Sequence, residues 1–337
     1  MTATLTPPTA AAPPPVAAPP PVAARTSPPR LPPKLPFWLR KPPKNRGIKK
    51  PPVRGPRDAR WWVGVVWFVL AGLLLGFVGH VAVVGALQHA RSQHLLYEQL
   101  RGDLAEAITP LGQLDFDEKL VKNGTPIAVI EIPSIGVNEV IVQGTRPSDL
   151  TGGPGHRRDT VYPGQAGTSV VMGRQATYGG PFGKINQLVP GDIITVTTGQ
   201  GVQEFEVFGV RQEGDLLPEP LGDGEGRLEL VTADGIPLAP SGALHVDAAL
   251  TSEVQDTPSP VFTKEVLDAS ELALAADSSS WFSSLFWFQW LVFAAVALRW
   301  ARSRWGTWQT WIVGVPLLLA LGAATADSAI STLANLL

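Results

Sequence analysis

Cysteine is missing from all 337 residues. That excludes disulfides, Cys-ligated zinc, iron–sulfur clusters and any thiol nucleophile. Histidine is scarce, with His80, His89, His94, His156 and His245 making up the whole set. None forms a His-x-x-x-His or His-Glu-x-x-His pair, so a helical zinc-hydrolase site has no ligands. Charge is also low: 17% of the chain against the roughly 25% of an ordinary soluble domain. No metal site and no cofactor are expected.

The charge that exists is segregated. Residues 25–60 hold 12 Lys and Arg against one acid, Asp58, whereas residues 88–280 hold 12 basic and 27 acidic residues. An acidic main block argues against nucleic acid as a partner. Residues 1–60 carry 18 of the 33 prolines, with an Ala/Pro low-complexity stretch from Pro7 to Pro21. Such a stretch cannot bury enough apolar surface to offset ordering, so a disordered, proline-rich tail is expected. Its basic half reads as a positive-inside signal with attraction to anionic lipid, or as a docking tail for a proline-recognition partner.

Three apolar runs follow. Trp61–Leu87 is 27 residues long without a charged Asp, Glu, Lys or Arg, Trp281–Leu298 is 18 and Trp308–Ala326 is 19. About 20 residues cross the hydrocarbon core as a helix. The first run lacks the short apolar core and small-residue site of a cleaved leader, and reads as an uncleaved anchor. Its Gly72 and Gly76 either pack closely on another membrane helix or reflect the frequency of glycine in such helices. Arg299, Arg302 and Arg304 place the short segment between the last two runs in the cytoplasm, on the same side as the basic tail. Ten of the 11 tryptophans lie near the ends of the runs and none lies in residues 88–280, as expected for an interfacial belt. The expected location is a bacterial cell membrane, with the bilayer as partner, a cytoplasmic tail and residues 88–280 outside. Residues 327–337 are then a short extracytoplasmic tail.

Within that outer block, residues 89–120 read as helical, with Pro110 and Gly112 interrupting the pattern. From Ile127 the period changes. Short β-type runs at Ile127–Ile132, Val137–Val142, Ser169–Met172, Ile193–Thr198, Glu204–Val210, Arg227–Thr232 and Leu244–Leu250 are separated by Gly and Pro. They predict a mainly β fold, a small closed barrel or sandwich over residues 125–250. Residues 251–280 read as an acidic tether.

Several motifs in this block occur in an order that resembles the sortase family. They are Ile127-Ala-Val-Ile-Glu-Ile-Pro-Ser-Ile-Gly-Val137, Gly152-Gly-Pro-Gly-His156, Pro163-Gly-Gln-Ala-Gly167, Ser169-Val-Val-Met-Gly173 through Tyr178-Gly-Gly-Pro-Phe182, Leu188-Val-Pro-Gly-Asp192 and Leu228-Glu-Leu-Val-Thr-Ala233. The resemblance implies a sortase-like β-barrel outside the membrane of a Gram-positive type bacterium. It also implies a cysteine that attacks a sorting signal, a histidine acid/base and an arginine that supports the oxyanion.

The chain departs from that pattern at all three places. The family histidine falls on Arg174, the cysteine on Ala233 and the arginine on Ala243. A guanidinium does not serve as a general base, and Thr232, the nearest hydroxyl, should point to the opposite face from residue 233. The expected catalytic set is therefore empty, and the chain reads as a pseudosortase. Arg174, Thr232, Asp234, His245 and Asp247 remain as candidate groove residues. His245 and Asp247, two apart on one strand face, form either a proton relay, a metal half-site or a satisfied structural pair. His156 reads as a loop hydrogen-bonder. Asp215, Glu219, Asp223 and Glu225 read as a solvated acidic loop, with Ca²⁺ as the alternative. Three functions remain open. One is a non-catalytic binding or scaffold module for a peptide, a sorting-signal-bearing surface protein or a cell-envelope complex. The second is an enzyme with an unconventional site at His245/Asp247 or a metal. The third is a structural membrane protein in which the barrel is a spacer.

The charge asymmetry generates a topology test. Ser148→Cys and Ser303→Cys, introduced singly, should differ on intact cells: an impermeant maleimide should label residue 148 and spare residue 303. The reverse pattern would invert the orientation.

Overall fold

The computed structural model describes residues 59–277 and 280–337, and the chain divides into two units, residues 1–57 and 58–337. The proline-rich tail expected over residues 1–60 thus lies, but for its last two residues, outside the described residues. The rest comprises a long helix, a β-barrel, an irregular segment and a helical hairpin.

The first helix begins as α1 (Ala59–Gly79), continues through a π turn (His80–Val84) and ends as α2 (Gly85–Ala105). It ends well before residue 120. The sequence pattern overran because Leu95, Leu96, Leu100, Leu104 and Ile108 keep helical spacing, whereas Ala107 adopts φ 57° and stops the helix. Residues 106–120 continue as turns and bends. The hairpin is α3 (Ser280–Trp305) and α4 (Thr307–Ser331). Only Gly306 separates them, at φ 94°, a conformation costly to any residue with a Cβ. The segment around Arg299–Arg304 is therefore helical rather than a loop. Three helices, Arg60–Ala105, Ser280–Trp305 and Thr307–Ser331, are long and apolar enough to cross a membrane. Their large apolar side chains, such as Trp67, Phe68, Phe282 and Leu319, are exposed, as suits helices solvated by lipid. Gly72 and Gly76 have no neighbour within 4 Å of where a Cβ would stand, so they line a gap and make no close helix crossing.

Eight strands close into a barrel: β1 (Pro126–Ile132), β2 (Val137–Gln143), β3 (Gly155–His156), β4 (Gly167–Met172), β5 (Ile193–Thr198), β6 (Gly201–Gln212), β7 (Gly226–Ile236) and β8 (Ala239–Leu250). Their order is β1-β2-β3-β4-β7-β8-β6-β5, with β5 returning to β1. The β2–β3 and β4–β7 pairs are parallel and the others antiparallel. Seven strands match the β-type runs in the sequence. The two-residue β3 carries no periodicity and exists because the chain at Gly155 runs against Gly144; a Cβ there would stand 2.1 Å from the Gly144 carbonyl oxygen.

Alternation fills the interior. Ile130, Ile132, Ile141, Val171, Val196, Phe205, Leu228, Leu230, Val246 and Ala248 share one core. The outer face of β1 and β2 is apolar too, because α2 covers it: Leu100 and Leu96 pack on Val129 and Val140, whose residues pair across the two strands. His89 of α2 bonds Glu139 of β2 at 3.0 Å. Gln93 donates to the carbonyls of Val140 and Gly152. The long helix is thereby fixed to the barrel.

Residues 251–277 contain no helix or strand beyond two three-residue 3-10 turns, yet they are held to the barrel. Glu271 is fully buried and pairs with Arg158 through two hydrogen bonds, one from Nε at 2.9 Å. The Arg158 guanidinium also lies over the Phe262 ring, 4.4 Å from its centroid. Removing one partner of such a pair strands the other charge. Glu271→Ala is expected to cost about 3–5 kcal/mol, whereas Arg158→Met with Glu271→Leu should be close to neutral. Thermal melting of the full chain measures both, and equal losses would deny the pair this role.

Candidate functional site

The outer faces of β4, β7 and β8 build the candidate groove. On β7, Leu228, Leu230 and Thr232 alternate inward, so Val231 and Ala233 face outward. On β8, Leu244 and Val246 point inward and Ala243, His245 and Asp247 outward. Ala233 and Ala243 are direct partners across the two strands. Arg174 follows the end of β4, one residue beyond Gly173, whose N–H bonds the Val231 carbonyl at 2.9 Å. Arg174, Ala233 and Ala243, the positions that the sequence resemblance singled out, therefore lie around one outer surface.

That surface is covered. Ala233 is 1% exposed, Ala243 4%, Arg174 0% and Leu336 0%. Leu336, beyond the end of α4, packs in one apolar cluster with Leu150, Val170, Met172, Val231, Ala233 and Ala243. Burying such a side chain stabilises by about 1.5–3 kcal/mol. The main chain is bound as well. The Gln175 N–H donates to the Leu336 carbonyl at 2.8 Å. Asn335 donates from Nδ2 to the carbonyls of Thr145 at 2.8 Å and Leu272 at 2.9 Å, and from its backbone N–H to Ala275 at 2.8 Å. The groove, a candidate peptide site on the sequence reading, is in this structure filled by residues 335–337.

Arg174 is held by main-chain oxygens and one hydroxyl, with no Asp or Glu side chain among its partners. Its Nη2 donates to Pro147 O at 2.6 Å, Nε to Leu150 O at 3.2 Å, and Nη1 to Thr177 Oγ1 at 2.8 Å and Leu337 O at 3.3 Å. The Thr177 hydroxyl in turn donates to the Leu337 carbonyl. Burial lowers the guanidinium pKa to about 10, which leaves it charged at neutral pH. Its Cζ lies 5.2 Å from the centroid of the Tyr178 ring. Tyr178 sits at φ 48°, unusual for a bulky residue and a mark of local strain. Its hydroxyl donates to Asp327 Oδ1 of α4 at 3.2 Å, and the same oxygen meets His80 Nε2 at 2.8 Å. Gln88 donates to the other Asp327 oxygen at 3.3 Å. Burial first, then the Asp327 charge, pushes the Tyr178 phenol up to about 12.

The other candidates divide. Thr232 donates to the Gly173 carbonyl at 2.9 Å from the inward face, so it is not a groove residue. Asp234 lies past the barrel core on the face opposite Ala233 and accepts from Gln212 at 3.0 Å. His245 and Asp247 share the outer face of β8 but have different partners. His245 Nδ1 meets Glu229 Oε1 at 2.7 Å, while Arg211 bridges Asp247 at 2.7 Å and Glu229. Burial opposes the Glu229 charge, but the His245 bond and the Arg211 charge outweigh it and lower its pKa. This is a four-residue ion-pair network. His156 is fully buried between Gln143 and the Val161 carbonyl, and burial lowers its pKa to about 4. Among the described residues no group of three metal-ligating side chains is assembled.

Residues 130–237 match the sortase domain family. The barrel is similar to the sortase family. Sortase D of Bacillus subtilis (strain 168) is 31% identical over 86 residues, which are 26% of this chain and 42% of the relative, so the chain spans about two fifths of that relative's length. Among solved structures, a Clostridium perfringens Sortase D5 transpeptidase is 23% identical with a TM-score of 0.38, covering 49% of this chain and 99% of that one. Sortase C-1 of Actinomyces oris is 29% identical with a TM-score of 0.34, covering 38% and 75%.

Sequence reasoning missed Leu336, Asn335, Tyr178 and the His80–Asp327 contact. One signal was present for the last: His80 and Asp327 are ionisable residues at or beside apolar runs, where such groups seek a partner. Nothing in the sequence linked Asn335-Leu336-Leu337 to the barrel.

The covered groove changes what restoring the family residues would do. Ala233→Cys adds one sulfur and should cost less than about 1.5 kcal/mol. Ala243→Arg must drive a charge into the space that Leu336 fills and should cost about 3 kcal/mol or more. Thermal melts of the single variants separate the two, and a wild-type melting temperature for Ala243→Arg would show an open groove.

Proposed function

We propose that this protein is a membrane-anchored member of the sortase family that does not transfer acyl groups and acts as a binding or scaffold module at the bacterial cell envelope. One observation carries the reading. The three places around the groove where the family keeps cysteine, histidine and arginine hold Ala233, Arg174 and Ala243, and the chain contains no thiol at all. Acyl transfer through a thioester needs a nucleophile that ionises and a base that accepts its proton. Ala233 supplies neither, and Arg174 holds its protons and spends its donors on four backbone and hydroxyl acceptors. Removing members of a catalytic set costs several orders of magnitude each way it has been dissected, and the losses converge on the uncatalysed rate.

The three apolar helices would anchor the module, and the positive-inside asymmetry supports a barrel outside the membrane and residues 1–60 in the cytoplasm. The partner is then a peptide, a sorting-signal-bearing protein or an envelope complex, in a Gram-positive type cell. An enzyme built on His245 and Asp247 has less support, because the two are engaged by Glu229 and Arg211 rather than by each other. A barrel serving as a mere spacer also has less support, because it is bonded to two of the helices through His89–Glu139 and Tyr178–Asp327.

Full-length protein in detergent, incubated with sorting-signal peptides and amine acceptors, is expected to give no product above a buffer control. Turnover that survives repurification would sink this reading.

A further inference from the structure

The groove and the segment after α4 fit each other position by position. Asn335 offers two side-chain protons to two carbonyls, Thr145 and Leu272, and its main-chain N–H to a third, Ala275. Leu336 fills an apolar socket whose floor is Ala233 and Ala243. Alanine at position 243 matters sterically: an arginine there would occupy the volume in which the leucine sits. The Leu336 carbonyl accepts from Gln175 N–H, and the Leu337 carbonyl accepts from Arg174 and Thr177. Recognition is thus split between one carboxamide, one branched apolar side chain and two main-chain oxygens. The carboxamide is the selective element, since an isosteric carboxylate would set an anion against two carbonyl oxygens with no proton between them.

We propose that the groove is a receptor for peptide segments of the Asn-Leu-Leu type and that its resident ligand is this chain's own residues 335–337, delivered by α4. This deepens the non-catalytic reading and rests on it, because a leucine packed on residue 233 occupies the place where an acyl group would be transferred. The occupant is tethered, so it competes at an effective concentration of about millimolar. The site is also wired to the membrane helices. Arg174, which holds Leu337, stacks on Tyr178, and Tyr178 is bonded to Asp327 of α4, whose partner is His80 of the π turn. A shift of α4 relative to α1 would therefore act on both the occupant and the arginine that holds it.

The absence of native cysteine provides the test. Ala233→Cys is a single reporter beneath Leu336 in the full chain in detergent micelles, read by its rate of maleimide labelling. Labelling should be slow. Adding Leu336→Asp, or the isosteric Asn335→Asp, should raise the rate at least about tenfold, equivalent to a docking free energy of about 1.4 kcal/mol. The peptide Ala-Asn-Leu-Leu should then restore slow labelling, and Ala-Asp-Leu-Leu should not. Fast labelling of the reporter with its tail intact, no acceleration in either variant, or no protection by the peptide would each overturn the proposal. A control reporter, Ala248→Cys in the barrel interior, should stay unreactive throughout. If both tail variants also expose residue 248, the segment is part of the barrel's structure and not a ligand, and the proposal fails. The readout is accessibility and not turnover, so transpeptidation by the unsubstituted chain would refute the non-catalytic reading without altering these rates.

Discussion

A permanently charged guanidinium buried away from any Asp or Glu side chain constrains the rest of this site. Arg174 cannot shed its charge at neutral pH, and it sits where water does not reach. Its donors must therefore find oxygen within the protein. They do so by gathering Pro147 and Leu150 from one loop, Thr177 from its own turn and Leu337 from beyond α4. Each acceptor fixes a segment that has no regular structure of its own. The loop between β2 and β3, the turn after β4 and the segment following the last helix are held by one side chain.

The same arginine joins the barrel to the helices. Tyr178 presents its ring to the guanidinium and its hydroxyl to Asp327, and it adopts a left-handed backbone to do both. Asp327 in turn meets His80 where the first helix widens into a π turn. Irregular helical turns of this kind are common at functional positions. The result is a chain of contacts from α1 through α4 to the groove. It places a coupling route beside the groove that holds Ala233 and Ala243.

Seven of the eight strands were legible because half-buried strands repeat apolar residues at a period of two, with Gly and Pro between them. β1 was less regular, since α2 buries its second face, and β3 was invisible because two residues carry no period. Helical spacing to Ile108 suggested a helix that in fact stops at Ala105, where Ala107 turns left-handed. The alternation rule placed Thr232 correctly on the face away from residue 233, and it placed Ala243, His245 and Asp247 on one face. It could not say that His245 would bond Glu229, a cross-strand neighbour two positions along, in place of Asp247.

By itself the sequence determined what is one-dimensional: the apolar runs long enough to cross a membrane, the β period, the sortase-like order of motifs and the lack of any thiol. These depend on residue type and near neighbours, and no folding can supply a missing sulfur. The tertiary structure alone decided that the groove is occupied. Arg174 and Leu337 lie 163 residues apart, and Asn335 and Thr145 lie 190 apart. Hydrogen bonds and packing between groups so distant leave no local pattern, so only the closed barrel and the returning helix could reveal what fills the space that two alanines left.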